Sequence, residues 1–391
     1  MTIVHIEDFF HPDAGYQVNI LAKFMAEQGH KIFVITSEMQ KIPAYLKDFF
    51  DVKHLEDRDR AYTQNTGVEI IRIPLVAYLS GRSIYSSHIF KKIDDIDPDI
   101  LYVHGNDTYI GIRYALKLGT LSYPVVFDNH MVEMASHNKF KKLFRFFYRH
   151  FVTPRLAKHH SIVIRMVDSD FILSQYGIAV ENSPIVGFGS DVLAFYPDMK
   201  IRMKMRTKLA VDKDDFVVVY AGKLDAEKGG LFLAQSIKSK FKCKSNIVFL
   251  ILGNCVGEYG AIVENELNAS ENRIIRIPTQ AYAQLPQYFQ CADIAVFPKH
   301  CSLTYYDAQA TGLPVVLEDN EIGLEREKHG SAVCFQAQNI IDFRKKIEFY
   351  ANMETEVFAK ESEKSSAYIA ESYNYSDKVA EYIKILNKLI S

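Results

Sequence analysis

Short apolar runs that alternate with helical patterns are the feature of this sequence that most limits its fold. TIVHIED near the start of the chain and KIFVITSE at residues 31–38 have the composition of buried strands. Between them, VNILAKFMAEQGH places Val18, Leu21 and Met25 on one helical face. Because strand–helix–strand succession favours parallel pairing through a crossover helix, the pattern predicts parallel sheets covered by helices.

The alternation occurs in two sets of similar size. The chain has 391 residues, and single hydrophobic cores stop growing near about 250–300 residues. We therefore predict an α/β protein with two Rossmann-like domains that face a central cleft, residues 1–192 and 193–374. Ligands of such sheets bind beyond the carboxyl ends of the strands. Residues 41–66 are charged and poorly periodic, which indicates a surface loop or insertion.

Charge and composition narrow the classes of function. A formal net charge of −2 gives no overall attraction to nucleic acid. The five cysteines form no CxxC pair and no histidine cluster has zinc-ligand spacing, so reduced thiols and no metal are expected. The first residues lack a basic region, which argues against a signal peptide, and no apolar run reaches about 18 residues. These features favour a cytoplasmic protein with at most peripheral membrane contact.

The stretch GKLDAEKGG suggests a phosphate site. A strand-like run ends at Gly222, and Lys223 and Lys228 flank a short acidic loop before a predicted helix at residues 229–237. Two lysines and the amino end of a helix would offer a diphosphate positive charge, free N–H groups and the positive end of a dipole. A surface turn with solvated lysines is the simpler alternative.

A second stretch, KHCSLTYYDAQATGLPVV, places one acid at the start of a helix. Asp307 lies in the first part of the predicted helix, which Gly312 and Pro314 end. A carboxylate there can accept two hydrogen bonds from neighbouring ribose hydroxyls. The alternative is an acid that only stabilises the helix terminus through the dipole.

Together these stretches resemble the retaining, nucleotide-sugar-dependent glycosyltransferases of family 4 (glycosyl transferases group 1), which have the two-domain GT-B fold. GKLDAEKGG stands where that family has G-R-L, a loop and K-G, with Lys223 in place of the usual Arg. AQATGLPVV matches the family's A-x-x-x-G-x-P-V-V, and Asp307 matches the second acid of its E-x7-E. Lys299 stands where the first Glu is usual, and KHCS replaces EGFG, so contacts with the donor sugar differ.

The resemblance extends over nearly the whole chain. FFHPDAGYQVNILAKF is similar to the family's first strand, glycine loop and helix, with Gly15 in the loop. DPDILYVHGND places His104 at the end of a strand, and PVVFDNHM places His130 where the family has its active-site histidine. SPIVGFGSDVLAFYPD resembles the segment at the domain junction. The helix at 375–391 resembles the one that crosses back to the first domain.

The resemblance implies residue roles for a UDP-sugar donor, with no other cofactor and no metal. The implied donor-binding residues are Gly15, Gly222, Lys223, Lys228, Pro278, Lys299, Ser302, Leu303, Thr304 and Asp307. Lys223 and Lys228 would neutralise the departing diphosphate, and His130 would hydrogen-bond the transferred sugar as a further catalytic residue. His104 would contact a lipid-linked or glycan acceptor in bacterial surface polysaccharide or glycoconjugate synthesis. DSD at 168–170 lacks the further ligands that a metal would need.

KFKKLFRFFYRHF, residues 139–151, concentrates cations among aromatic side chains. At about 100° per residue a helix separates two faces: Phe140, Leu143, Phe144, Phe147 and Phe151 on one, and Lys141, Lys142, Arg145 and Arg149 on the other. One interpretation is a core-packed helix with a solvated charged face. The other is a basic face that rests on an anionic membrane surface near a lipid-linked acceptor.

Two other classes of function fit the same sequence. A nucleotide-sugar 2-epimerase shares the GT-B architecture, although the Gly15 loop and the paired lysines favour transfer. The departures at Lys299 and KHCS also fit a binding or partner subunit that no longer turns over. A further hypothesis pairs Lys299 with an acidic donor sugar such as a uronic acid.

Overall fold

The computed structural model describes residues 1–42, 52–79, 81–130, 140–299, 302–330 and 332–390. They form two compact units. The first unit contains the described residues up to Phe188 together with those of Tyr375–Ser391, and the second contains Gly189–Asn374. The junction lies between Phe188 and Gly189, whereas the sequence analysis predicted it after residue 192.

The first unit is built around a six-stranded parallel sheet in the order β3-β2-β1-β6-β7-β8. Its strands are β1 (Thr2–Glu7), β2 (Lys31–Ser37), β3 (Glu69–Ile73), β6 (Ile100–Val103), β7 (Val125–Asn129) and β8 (Val163–Arg165), with a separate hairpin of β4 (Leu75–Leu79) and β5 (Arg82–Tyr85). Its helices are α1 (Gln17–Glu27), α2 (Leu55–Thr66), α3 (His88–Ile96), α4 (Tyr109–Lys117), α5 (Lys141–Phe147) and α6 (Thr153–Lys158). Val4 pairs with both Phe33 and Leu101, so the chain builds outward from β1 in both directions.

The second unit repeats this arrangement with the order β11-β10-β9-β12-β13-β14. Its strands are β9 (Phe216–Ala221), β10 (Ile247–Leu252), β11 (Arg273–Ile277), β12 (Ile294–Phe297), β13 (Val315–Glu318) and β14 (Ala332–Phe335). Its helices are α7 (Met199–Lys208), α8 (Gly230–Ser236), α9 (Gly257–Asn268), α10 (Leu285–Cys291), α11 (Thr304–Ala310), α12 (Glu321–His329), α13 (Ile340–Ala351) and α14 (Thr355–Ser372). All six residues of β10 are buried, as expected for a parallel strand covered on both faces.

The last helix, α15 (Tyr375–Ile390), belongs to the first unit. It buries Val379, Tyr382 and Leu386, and the Gln17 side chain of α1 donates a hydrogen bond to the Tyr382 hydroxyl at 2.9 Å. The predicted crossing of the terminal helix back to the first domain is therefore confirmed.

The prediction of a loop or insertion over residues 41–66 is wrong for its second half. Leu55–Thr66 is the helix α2, and none of its residues is buried. Polar contacts hold it beside the partly buried Leu55: Arg72 makes two hydrogen bonds to Asp59, at 2.6 and 2.8 Å, and the Tyr62 hydroxyl donates to Asn19 O at 2.7 Å. A helix without a buried apolar face carries no hydrophobic periodicity, so the sequence pattern could not reveal it. Residues 43–51 lie outside the described part of the chain.

The predicted faces of the basic stretch are also partly wrong. Phe144 and Phe147 pack against the core and Tyr148 is fully buried. Phe140, Leu143, Phe146 and Phe151 are all more than half exposed, whereas Lys141 and Arg145 are half-buried. The helix widens from α to π at Tyr148–Val152, so a count at 3.6 residues per turn does not hold across it. The exposed surface of this stretch is therefore apolar as well as basic. Lys139 lies outside the described residues.

No helix within the described part of the chain is long and apolar enough to cross a membrane. Four cysteines in that part, Cys243, Cys255, Cys291 and Cys334, are free thiols.

Candidate functional site

The carboxyl edge of the second unit's sheet brings together most of the predicted donor-binding residues. Gly222 directly follows β9, and its N–H donates to Leu252 O at 3.1 Å. A Cβ on Gly253, which has φ +135°, would lie 1.8 Å from Gly222 O, so only glycine permits this close approach of two strand ends. Pro278 directly follows β11 at the same edge.

Lys223 and Lys228 lie close enough to influence each other. Burial lowers the pKa of Lys223, the charge of Lys228 lowers it further, and Asp225 opposes both effects. A half-buried ammonium beside a second ammonium favours an anionic ligand, because such a ligand relieves both the desolvation and the repulsion. The predicted convergence of the two lysines is consistent with this coupling.

The prediction of free N–H groups at the amino end of the following helix is wrong for three residues. Lys228 N–H donates to Asp225 Oδ1 at 2.8 Å and Gly230 N–H donates to Asp225 O at 2.9 Å. Leu231 N–H donates to the Tyr259 hydroxyl at 2.9 Å. Asp225 and Tyr259 thus occupy these three N–H groups, and positive charge at this edge comes from the lysine side chains.

The loop after β12 contacts the lysine loop. Lys299 Nζ donates to Ala226 O at 3.2 Å, and a Cβ on Gly229 would lie 3.0 Å from Lys299 Cβ. Thr304 Oγ1 donates to Ala221 O, at the end of β9, at 3.3 Å. It also hydrogen-bonds with Ser302 Oγ at 2.7 Å. Leu303 lies between them and precedes α11. The structure therefore brings Lys299, Ser302 and Thr304 close to the end of β9, which Gly222 follows.

Asp307 is not an open carboxylate. It is 2% exposed, and its Oδ1 accepts hydrogen bonds from Ser190 Oγ at 2.6 Å and from the Tyr282 hydroxyl at 3.1 Å. Burial raises the pKa of Asp307 to about 7, while these two bonds act in the opposite direction. Of the two carboxylate oxygens that were expected to bind the ribose, Oδ1 therefore already accepts hydrogen bonds from protein hydroxyls.

The carboxyl edge of the first unit's sheet carries a different group of side chains. His104, at the end of β6, donates from Nδ1 to Asp128 Oδ2 at 2.7 Å, and its Nε2 lies 3.0 Å from His5 Nδ1. His130 Nε2 lies 3.2 Å from Asp128 Oδ1. His104 is 3% exposed, whereas the His130 side chain is 39% exposed. His104 is therefore engaged at both ring nitrogens, and His130 is the accessible end of the group.

The charges of this group support one another. Burial alone would raise the pKa of Asp128, but the charges of and hydrogen bonds from His130 and His104 hold it below its ordinary value. Desolvation would lower the pKa of His130, but Asp128 raises it overall, with Glu7 and Asp107 acting in the same direction. The site therefore favours an ionised Asp128 beside a protonated His130.

The remaining predicted residues lie apart from these two groups or in connecting loops. Gly15 lies in the loop between β1 and α1, after the carboxyl end of β1. Asp168, from the DSD stretch, is 88% exposed and pairs with Arg165.

Asp128 and His5 were not predicted as site residues. A signal existed for Asp128: side chains at positions i and i+2 of a strand lie on the same side, so Asp128 shares a face with His130. No local signal existed for His5, because its partner His104 is 99 positions away.

Comparison with known proteins agrees with the geometry of the second unit. Residues 201–374 match the family model described as Glycosyl transferases group 1. The second unit carries a glycosyl transferases group 1 domain. The group 1 domain contains Gly222, Lys223, Lys228, Lys299 and Asp307, and the match ends where the second unit ends.

Curated relatives resemble a limited part of the chain. The D-inositol 3-phosphate glycosyltransferase of Segniliparus rotundus is 26% identical over 157 residues, 38% of this chain and 34% of that protein. The protein of the same name from Xylanimonas cellulosilytica is 25% identical over 160 residues, 38% of each chain. The chain thus spans little more than a third of the length of these relatives.

Solved structures match the whole chain. A glycosyltransferase from Rickettsia africae has a TM-score of 0.73 at 13% identity and covers 100% of this chain and 98% of its own. Anabaena Alr3699/HepE, in complex with UDP and glucose, has a TM-score of 0.74 at 15% identity and covers 100% of both chains. At such low identity these matches concern the fold, and they confirm the predicted two-domain α/β fold of the GT-B type.

Proposed function

We propose that this protein is a glycosyltransferase that moves a sugar from a nucleoside-diphosphate sugar, a UDP-sugar, to an acceptor hydroxyl. The observation that carries the proposal is the group 1 domain at residues 201–374, whose predicted donor residues meet at one sheet edge. Anabaena Alr3699/HepE, which shares the fold, binds UDP and glucose, and this supports UDP as the nucleotide.

The lysines supply the charge that the reaction needs. When the bond between sugar and diphosphate breaks, negative charge develops on the leaving phosphate, and Lys223 and Lys228 neutralise it. Fixed positive charge of this kind is usually the largest single contribution to rate. This is the role that a metal plays in other transferases, so we propose a metal-independent donor site. The hydroxyls of Ser302 and Thr304 lie at the same edge and suit the polar donor.

We assign to His130 the role of binding the transferred sugar. Its imidazole is a hydrogen-bond donor to that sugar when it is protonated. We keep the assignment of Asp307 to the donor ribose, with the ribose bound by its second carboxylate oxygen, Oδ2. Retention of configuration follows from the family resemblance: the acceptor attacks from the face that the diphosphate leaves, and the leaving phosphate takes the acceptor's proton. His104 is buried and hydrogen-bonded at both ring nitrogens, which does not favour the contact with the acceptor that was expected for it.

The acceptor that we propose is a lipid-linked or other glycan of bacterial surface polysaccharide or glycoconjugate synthesis. The exposed Phe140, Leu143 and Phe146 beside Lys142 and Arg149 support a peripheral membrane contact. Apolar side chains can enter the headgroup boundary while cations meet anionic lipids.

The test is a thermal-shift screen of the purified chain against nucleoside diphosphates and their sugars, followed by a transfer assay with the sugar that binds. A bound donor raises the melting temperature by mass action. We expect stabilisation by UDP and a UDP-sugar, and release of UDP that depends on an acceptor. If no nucleoside diphosphate binds, the proposal is wrong. Conversion of a UDP-sugar to its epimer without acceptor would assign the epimerase function, and binding without transfer or hydrolysis would assign a partner subunit.

A further inference from the structure

Four side chains from three neighbouring strands form one hydrogen-bonded row in the first unit. His5 lies in β1, His104 directly after β6, and Asp128 in β7 with His130 directly after it. The links are His5 to His104 at 3.0 Å, His104 to Asp128 at 2.7 Å and Asp128 to His130 at 3.2 Å. We refer to these residues as the imidazole row. Three of them are almost fully buried, and only His130 is exposed.

The contacts of the row determine where its protons lie. Asp128 Oδ1 also accepts a hydrogen bond from Gly105 N–H at 2.7 Å, so three N–H groups converge on this carboxylate. An ionised carboxylate has only acceptors, which places a proton on His104 Nδ1 and on His130 Nε2. With a neutral His104, Nε2 accepts from His5 Nδ1–H, and only the lone pair of His5 Nε2 is left without a partner. A charged His104 would leave a buried donor unpaired instead.

The row is held rigidly. The His104 ring stacks on Tyr102 at 4.6 Å between ring centroids and on His5 at 5.3 Å. Gly105 has φ +85°, and a Cβ there would lie 2.6 Å from the Thr108 side chain, so a glycine is required to aim this N–H at Asp128. The Asn106 N–H donates to Asp128 O at 2.9 Å and ties the same loop to β7.

We propose that Asp128 and His104 are positioning residues for His130. Asp128 fixes the orientation of the His130 ring, keeps the proton on its Nε2 and leaves Nδ1 for the ligand. His104, clamped by its neighbours, holds Asp128 in the rotamer that does this. The catalytic consequence rests on the proposed glycosyl transfer, but the arrangement itself does not.

A cation would use the same atoms. Ligand atoms of His104, Asp128 and His130 lie within 4.8 Å of one another. A metal bound to all three would have to replace the protons on His104 Nδ1 and His130 Nε2, whereas both distances to Asp128 fit hydrogen bonds. Metal binding is therefore an outcome that the experiment must separate from the row.

The experiment is ¹⁵N NMR of the full chain labelled at histidine, with His130 assigned by the loss of its signals in His130→Gln. We expect the neutral form of His130 to carry its proton on Nε2, and His130 to titrate above the ordinary midpoint. Asp128→Asn should lower that midpoint by about one pH unit or more, because it removes the opposite charge. His150→Gln, an exposed site in the same unit, is the matched control and should change nothing at His130.

A pair of variants tests His104 without removing the neighbouring charge. In His104→Asn the amide nitrogen occupies the place of Nδ1 and still donates to Asp128, so the His130 tautomer should persist. In His104→Gln the amide occupies the place of Nε2, and the tautomer preference of His130 should be lost. Melting temperatures show whether each variant is folded. In the transfer assay, Asp128→Asn should lower kcat by about tenfold to a hundredfold with little change in the donor KM.

Four results would overturn the proposal. The wild-type chain alone does so if the neutral form of His130 carries its proton on Nδ1, or if His130 titrates at the ordinary midpoint. An unchanged His130 titration in a folded Asp128→Asn also does so. Saturable shifts of the His104 and His130 signals on adding Zn²⁺ would assign a metal site instead. No substrate is used in these measurements, so an intact row in a protein without transferase activity would refute the proposed function and leave this inference standing.

Discussion

The two sheets have the same strand order but opposite chemistry at their carboxyl edges. In the first unit, Asp128 and His130 pair at the end of β7, and the charge of Glu7 also raises the pKa of His130. In the second unit, Lys223 and Lys228 follow β9, and burial together with the charge of Lys228 lowers the pKa of Lys223. The polar groups at the first edge pair with one another without a ligand. At the second edge, an anionic ligand would stabilise the charge of the lysines.

This difference shows what topology decides and what it leaves to sequence. The strand order fixes where a ligand site can form, because all the strand ends open at one edge. The residues that follow each strand then decide the charge of the site. An edge with lysines suits a diphosphate, and an edge with a fixed imidazole suits the uncharged hydroxyls of a sugar.

The largest expected effect tests the cationic edge. Lys228→Ala should lower kcat by about a hundredfold or more, since it removes charge stabilisation of the leaving diphosphate. Steady-state kinetics with the donor found in the screen measure it. Lys213→Ala, an exposed lysine of the same unit, is the control. Near-normal turnover of a folded Lys228→Ala would remove this lysine from the mechanism and weaken the contrast between the two edges.

The second prediction contrasts two basic helices. Lys142→Ala combined with Arg149→Ala should weaken binding to anionic vesicles by about thirtyfold, because each cation near the surface contributes about 1 kcal/mol. Sedimentation with vesicles at low salt measures this, and high salt should release the wild-type chain.

The control for the vesicle experiment is the basic helix α7 of the second unit. Lys204 and Lys208 are exposed there, so Lys204→Ala with Lys208→Ala removes the same charge elsewhere. Equal losses from both double variants would indicate general electrostatic attraction. Equal binding of the wild-type chain to neutral vesicles would exclude the proposed anionic surface.

The third prediction concerns a feature that the two units share. Burial raises the pKa of Asp8 in the first unit and of Asp307 in the second to about 7. Between about pH 4 and 7 each folded unit therefore binds more protons than its unfolded chain, and its free energy of unfolding falls as the pH rises. Replacing either aspartate with Asn removes the ionisable group, and with it this decrease in the free energy of unfolding.

Asp8→Asn and Asp307→Asn should consequently gain stability relative to the wild type between pH 5 and pH 8. We expect about 1–2 kcal/mol, or about 2–8 °C in melting temperature. Thermal unfolding at both pH values measures the difference. Asp168→Asn, at an exposed acid, should show none. If the variants and the wild type lose stability in parallel, these carboxyls are ionised in the folded protein at neutral pH.

The smallest expected effect concerns the loop contact at the cationic edge. Lys299→Met removes the hydrogen bond to Ala226 O and should raise the donor KM about threefold, with kcat little changed. Comparing a UDP-hexose with a UDP-uronic acid extends the test. A loss confined to the uronic acid would show that Lys299 binds an acidic donor sugar, and no change with either donor would show that the contact is dispensable.

The sequence predicted those parts of the molecule that local patterns encode. Both parallel sheets follow from alternating apolar runs, and the donor motif follows from adjacent residues between Gly222 and Gly230. The helix α2 escaped because it buries no residue. The exposure of Phe140 and Leu143 escaped because a helical count separates apolar from charged side chains but does not tell which apolar side chains reach the core; the π segment at Tyr148–Val152 alters the period only beyond them.

The imidazole row shows a different limit. His5, His104 and Asp128 come from three strands that only the folded sheet makes neighbours, with separations of 99 and 24 positions. Their residue types are ordinary when each is read alone. Likewise, the carboxylate of Asp307 met Ser190, 117 positions away, where a ribose had been expected.

The placement of α15 has a consequence for biosynthesis. The ribosome must synthesise all of Gly189–Asn374 before the residues that pack against Gln17 and Phe24 emerge. During that interval the second unit can fold as a continuous segment, while the nascent first unit waits with one flank of α1 uncovered.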